Sequence, residues 1–192
     1  MRAEDCFLLL VDLQVGSLTS IHTIDPKTLK DNAIALATLA NIHKMPSILT
    51  AGKKPGVSGV FLPELRALLP GHAYVERTAV GAFDAPAVKA ASAATGRSTA
   101  IVAGVATDIG VLHAAIGAKA AGLDVWVVVD ACGTTDSRAE SLAIARLSAA
   151  GVATTGWASL AAEWMGDFAG PLGLETMALL SQRMPSAEGP FG

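Results

Sequence analysis

The chain has 192 residues, of which 52% are hydrophobic and 16% charged, with a formal net charge of −3 at pH 7. This length suits one α/β domain with a sizeable core; the near-neutral balance gives no electrostatic case for nucleic acid or an acidic membrane surface, and no apolar run approaches the roughly 18–20 residues of a membrane span. A charged share below the ~25% usual in soluble domains points to apolar surface buried between subunits, and so to a homo-oligomer.

Met1 to Asp5 leads straight into a strand, so no signal peptide is expected. Cys6 and Cys132 lie in or beside predicted strands and read as reduced thiols of a cytoplasmic protein. Cys6 to Asp12 is an apolar run ending in a carboxylate, the first buried strand. Asp25-Pro26 reads as an N-cap with proline at the first helical position, opening a helix to about His43. Ser47 to Ala51 is a second strand, Gly52 to Gly59 a turn-rich loop, and Leu62 to Leu69 a short helix. Ala73 to Val75 is a third strand. Asp84 is placed to cap a helix over Ala85 to Thr95, which Gly96 stops.

Thr99 to Val105 reads as a fully buried strand of a parallel sheet. It breaks at Gly104-Val105-Ala106-Thr107-Asp108, and a helix to about Ala121 follows, with Thr107 or Asp108 placed to cap it. Where a strand end meets a helix start, open α/β sheets put their ligands, and the free N–H groups of the first helical turn suit an anionic oxygen. Asp124 to Asp130 is a fifth strand, with Cys132 just beyond it. A helix capped by Asp136 or Ser137 runs to Ala150, Val152 to Thr155 is a sixth strand, and Ser159 to Met165 a short helix. From about residue 166 the chain extends beyond the sheet. Leu172 to Arg183 reads as a peripheral helix packing on a neighbouring subunit, and Met184 to Gly192 as a loose tail. The alternation predicts one domain over residues 1–192, a three-layer α/β/α sandwich with a mostly parallel sheet. No Gly-x-Gly-x-x-Gly or P-loop supports a nucleotide cofactor.

Gly104-Val105-Ala106-Thr107-Asp108-Ile109-Gly110 resembles the nucleophile turn of the isochorismatase-like hydrolases. That turn reads Gly, Val or Ile, any residue, Thr, Asp or Glu, any residue, Cys. The departure is Gly110, which stands where the family's cysteine hydrolases carry their nucleophile. Leu8-Leu-Leu-Val-Asp-Leu-Gln14 resembles the family's opening motif, an apolar run followed by Asp-x-Gln. By itself Asp12 reads as a helix or turn cap; the resemblance makes it the general acid or base, a role that suits a carboxylate at the mouth of an apolar pocket. By itself Arg77 reads as a solvated loop arginine. The resemblance makes it the partner that orients Asp12, where the family usually has lysine, and an arginine acts there electrostatically rather than by proton transfer.

The same resemblance places Gln14, Phe83, Ala106 and Thr107 at the substrate. It implies a cis peptide bond at Val105-Ala106 that turns the N–H groups of Ala106 and Gly110 into an oxyanion hole. Family nicotinamidases hold a metal through an Asp-x-His motif after the second strand; Ala51 to Gly56 contains no histidine, and His22, His43, His72 and His113 are scattered, with His43 and His72 read as solvated. No metal and no cofactor are therefore expected. The loop Thr50 to Leu65 and the segment Val129 to Thr135 resemble the YcaC-like branch, whose members form octamers.

Gly110 leaves three readings open: a pseudoenzyme, silent or ligand-binding; a hydrolase needing no thiol, like true isochorismatases, which also carry glycine here; or a replaced cysteine. The reading carried forward is a small-molecule hydrolase with Asp12, Arg77 and Gly110 at its centre. A cysteine substituted at position 110 would lie at a helix N-terminus, where the dipole favours a thiolate.

Overall fold

The computed structural model describes residues 1–53 and 59–183. Five residues of the predicted turn-rich loop, 54–58, and the predicted tail Met184 to Gly192 lie outside the described residues. In chain order the elements are β1 (Cys6–Val11), α1 (Val15–Leu18), α2 (Pro26–Ile42), β2 (Ser47–Gly52), α3 (Pro63–Leu68) and β3 (Ala73–Arg77). There follow α4 (Pro86–Ala94), β4 (Thr99–Val105), α5 (Leu112–Ala120), β5 (Asp124–Gly133), α6 (Ser137–Ala149), β6 (Ala153–Thr155), α7 (Trp157–Met165) and α8 (Pro171–Arg183). Among the described residues no helix is long and apolar enough to cross a membrane.

The six strands form one sheet in the order β3-β2-β1-β4-β5-β6, and every pairing is parallel. β1 and β4 are buried at every residue, as strands covered on both faces must be, and this is why both read as unbroken apolar runs. Helices α2, α3, α7 and α8 pack together on one face, and α4, α5 and α6 cover the other. From β1 the chain winds outward through β2 and β3, then returns to β4 on the opposite side of β1. The direction of winding thus reverses between β1 and β4, and a crevice opens outside their carboxyl ends. Gly104 makes the close approach there possible: at φ +138 it adopts a backbone that side chains disfavour, and a Cβ on it would sit 2.0 Å from the Val11 carbonyl oxygen.

Local signals fixed some ends and tertiary partners fixed others. Asp25 does cap α2, accepting from Thr28 N–H at 2.8 Å, with Pro26 leading the helix. Asp84 does not cap α4; it lies in a 3₁₀ turn over Ala82–Asp84, and the residue before the helix is Ala85. The turn after β4 is a wide π-helical one, Thr107–Val111, closed by Val111 N–H donating to Ala106 O at 3.1 Å. Neither Thr107 nor Asp108 caps it. β5 runs on to Gly133, so Cys132 lies within the strand, opposite Gly104 and beyond a register shift. The last helix, α8, packs on α2 and α7 of its own chain, burying Thr176, Leu179 and Leu180. His43 is half-buried rather than freely solvated: its ring stands edge-on to Trp164 at 5.7 Å, and burial lowers its pKa.

Asp130 supplies the cap that α7 lacks. Gly156 precedes the helix and has no side chain, and Trp157 N–H donates instead to both oxygens of Asp130, at 3.0 and 3.2 Å. Burial raises the Asp130 pKa above the ordinary aspartate value, against the lowering effect of the Trp157 hydrogen bond. The native state therefore binds this proton more readily than the unfolded chain. Its contribution to stability is complete below the unfolded pKa, about 3.9, and is lost as pH rises through the raised native value. Urea unfolding of Asp130→Asn against the parent chain should show the variant gaining relative stability as pH rises from mildly acidic to neutral. A relative loss over that range would contradict the assignment.

Candidate active site

The carboxyl ends of β1, β2, β3 and β4 contribute one group each to the crevice. Asp12 follows β1 with φ +53, a left-handed backbone that aspartate tolerates better than most residues. Its N–H donates to Thr50 O at 2.9 Å, and its carbonyl accepts from Gln14 N–H at 2.7 Å. The carboxylate is held at both oxygens. Gly52 N–H, from the end of β2, donates to Oδ1 at 2.6 Å, and Arg77 Nη2, from the end of β3, donates to Oδ2 at 2.6 Å. Gly52 and Arg77 are direct partners in the sheet register, so both donors arrive from adjacent strand ends.

Arg77 stands behind the carboxylate. Its side chain is 3% exposed against 20% for Asp12, and Nη1 donates to Ala79 O at 2.8 Å. Nε is buried with no hydrogen-bond partner among the described residues. The carboxylate thus faces a cleft of about 420 Å³, and the guanidinium closes its floor. A volume of this size suits a small molecule.

Gln14, Ala106 and Gly110 also line the cleft. Gln14 is fixed by Nε2 donating to Gly59 O at 2.7 Å. The Val105-Ala106 peptide bond is cis. The structure therefore brings Asp12, Gln14, Arg77, Ala106 and Gly110 together, as the sequence predicts. It does not bring Phe83 or Thr107 to the cleft. Phe83 is buried beside Gly117 of α5, where a Cβ on the glycine would lie 2.8 Å from Phe83 Cβ. Thr107 turns away and donates to Glu140 Oε1 of α6 at 2.8 Å. Sequence reasoning missed Gly52, Lys53 and the hydroxyl residues Ser17, Ser20 and Thr135 on the cleft wall. The signal for Gly52 was present, since it ends the strand beside β1 on the edge that carries Asp12.

Among the described residues no three His, Cys, Asp or Glu side chains come together as a metal site. Cys6 and Cys132 are buried and do not line the cleft. Burial pushes both thiols up to about 12.

Residues 6–159 match the isochorismatase domain family. The chain belongs to that family. It is 37% identical over 172 residues to the "probable hydrolase YcaC" of Escherichia coli (strain K12), covering 87% of this chain and 83% of that one. The crystal structure of E. coli YcaC, an octameric hydrolase of unknown specificity, shares the fold at a TM-score of 0.91 and 34% identity, over 96% of this chain and 91% of that one. YcaC from Pseudomonas aeruginosa, with hexane-2,5-diol and covalent acrylamide, gives a TM-score of 0.92 at 33% identity, over 96% and 92% of the two chains. The Staphylococcus aureus nicotinamidase SaPncA, at 17% identity and a TM-score of 0.67 over 79% and 99%, shares the fold alone.

A thiolate is the reactive form of cysteine, and raised pKa values keep both thiols of this isochorismatase-family chain protonated near neutrality. Iodoacetamide should therefore leave Cys6 and Cys132 unmodified in the native protein and label both once urea unfolds it. Peptide mass mapping reads the outcome, and rapid native labelling of Cys132 would show that the cleft has been misplaced.

Proposed function

We propose that this chain is a small-molecule hydrolase that works without a cysteine nucleophile, with Asp12 as its general acid or base. The observation that carries the reading is the doubly held Asp12 carboxylate, facing a cleft whose described lining residues include no thiol and a glycine at position 110. The Arg77 guanidinium holds Asp12 in place through a charge-assisted hydrogen bond. Asp12 then exchanges the proton: it takes one from an attacking water or gives one to the substrate's basic atom. The N–H groups of Ala106 and Gly110 are assigned to the oxygen that gains negative charge, where fixed donors stabilise the transition state more than the ground state.

The relatives bear on two further points. The P. aeruginosa YcaC structure carries covalent acrylamide. Such an adduct requires a nucleophile, and the described residues lining this chain's cleft include no cysteine. E. coli YcaC is octameric. Octameric assembly is proposed here too, supported by exposed aliphatic side chains such as Val80 and Ile109 at the cleft mouth, 57% and 53% exposed.

The test is a panel of small esters, amides and enol ethers. Hydrolysis of any member should survive iodoacetamide treatment and fall about 100-fold or more in Asp12→Asn, as expected for loss of an acid–base group. Hydrolysis that persists in Asp12→Asn removes Asp12 from the role. Absence of turnover across the panel, with small-molecule binding retained, favours a catalytically silent binding protein. Light scattering should give a mass eight times that of one chain, as in the E. coli relative; a monomer at micromolar concentration ends the assembly proposal.

A further inference from the structure

The charges of the cleft do not cancel. Among the described lining residues the ionisable ones are Asp12, Arg77 and Lys53. Asp12 and Arg77 neutralise each other across 2.6 Å, and Gly52 N–H holds the second carboxylate oxygen. Lys53 is left over, so the lining carries positive charge in excess. A cleft with apolar walls focuses the field of such a charge on the ligand it admits.

Lys53 is fixed at its base and free at its tip. Its N–H donates to Arg77 O at 2.7 Å, so its backbone continues the pairing of β2 with β3, next to the Gly52 that holds Asp12. Its ammonium stands 3.4 Å from a Glu76 oxygen, and the two side chains are 69% and 53% exposed. Exposed pairs of this kind contribute little. Among the described residues no hydrogen bond engages the ammonium. Glu76 lies in the hollow beside the cleft, before α4, whereas Lys53 lines both spaces. An anion in the cleft can therefore draw the ammonium over at little cost.

The remaining walls bear on what the anion is attached to. Ile21, Val80, Val105 and Ile109 are aliphatic, and no aromatic side chain lines the cleft among the described residues. Thr135, beyond β5, adds a hydroxyl at the end away from Lys53, and Asp12, after β1, lies between them. On the hydrolase reading of this cleft, we propose that its substrates are short aliphatic molecules carrying one carboxylate, which Lys53 holds at the β2 end while the body of the molecule lies over Asp12 against Ile21 and Ile109. A single unbalanced cation matches a monoanion; a phosphate monoester, at about −1.5 to −2 near neutral pH, finds only part of its charge met. An aromatic ring finds no ring to stack on.

The experiment titrates the full chain, ¹³C-labelled at isoleucine methyl groups, with pentanoate, pentanamide, pentyl phosphate and benzoate. The methyl resonances of Ile21 and Ile109, assigned through Ile21→Val and Ile109→Val, report occupancy of the cleft. Pentanoate should move both and bind about tenfold more tightly than pentanamide, the difference that one hydrogen bond to a charged group supplies. Lys53→Gln should remove that difference and leave pentanamide unchanged. Glu76→Gln, which frees the ammonium from its present partner, should tighten pentanoate severalfold, a gain that damage to the fold does not produce. Equal binding of pentanoate and pentanamide, pentanoate binding unchanged in Lys53→Gln, or shifts of neither methyl overturns the proposal. Tighter binding of benzoate or pentyl phosphate than of pentanoate overturns it as well. Because binding is measured apart from turnover, the two readings fail separately: hydrolysis of uncharged esters with no carboxylate preference removes only the Lys53 assignment, and a carboxylate preference without hydrolysis removes only the hydrolase.

Discussion

The ion pair between Asp12 and Arg77 is the interaction on which the cleft depends. Burying an arginine is costly unless its charge and its N–H groups are met. Arg77 meets that cost with the Asp12 carboxylate and the Ala79 carbonyl, while Nε has no partner among the described residues. Asp12 in turn is shared between Arg77 and Gly52 N–H. Removing one partner of a buried pair leaves the other charge uncompensated, which typically costs about 3–5 kcal/mol. The partial exposure of Asp12 moderates that figure, since water still reaches the carboxylate. The same exposure leaves the carboxylate open to a ligand.

Sheet order is what makes the pair possible. Asp12, Gly52 and Arg77 stand 40 and 25 positions apart in sequence, yet adjacent parallel strands deliver them to one edge. β1 must lie between β2 and β4 for Asp12 to meet both the donors of β2 and β3 and the turn that follows β4. Gly104 and Gly110 allow the approach from the β4 side, the first against the backbone of Val11 and the second against Asp12 itself. The cleft is therefore a consequence of the winding reversal, refined by two positions that carry no side chain.

What the sequence made legible follows the range of the forces involved. Continuous burial in β1 and β4 leaves an unbroken apolar run, so those strands were plain. Asp25 caps by a contact three residues away and was plain for the same reason. Thr107 and Asp108 also have capping chemistry, but their partners are Glu140 and Thr134, 33 and 26 residues further on, and those contacts prevail over the local choice. β5 continues past its apolar run because Cys132 and Gly133 find partners in Gly104 and Val105 after a register shift, and no local pattern announces a shift of that kind. Phe83 fits a motif by its spacing, yet the motif does not say where the ring goes; the small Gly117 of α5 provides its place in the core. In α8 the apolar residues were visible, but the surface of α2 and α7 that receives them is made by tertiary packing and leaves no local pattern.

The engagement of Thr107 and Asp108 narrows the chemistry on that wall of the cleft. Thr107 donates to Glu140, and Thr134 Oγ1 donates to Asp108 at 2.5 Å, so the turn's polar side chains tie it to α6 and to the segment after β5. What the turn gives the cleft is the backbone of Ala106 and Gly110 and the side chain of Ile109. Among the described lining residues the ionisable ones are Asp12, Lys53 and Arg77. Arg77 is engaged by Asp12 and the Ala79 carbonyl, and Lys53 is an exposed side chain whose ammonium stands 3.4 Å from Glu76. Of these three Asp12 is the one carboxylate, and it faces the cleft. The turn opposite it supplies fixed dipoles, and holding those dipoles still is the work of two threonine–carboxylate contacts on its far side.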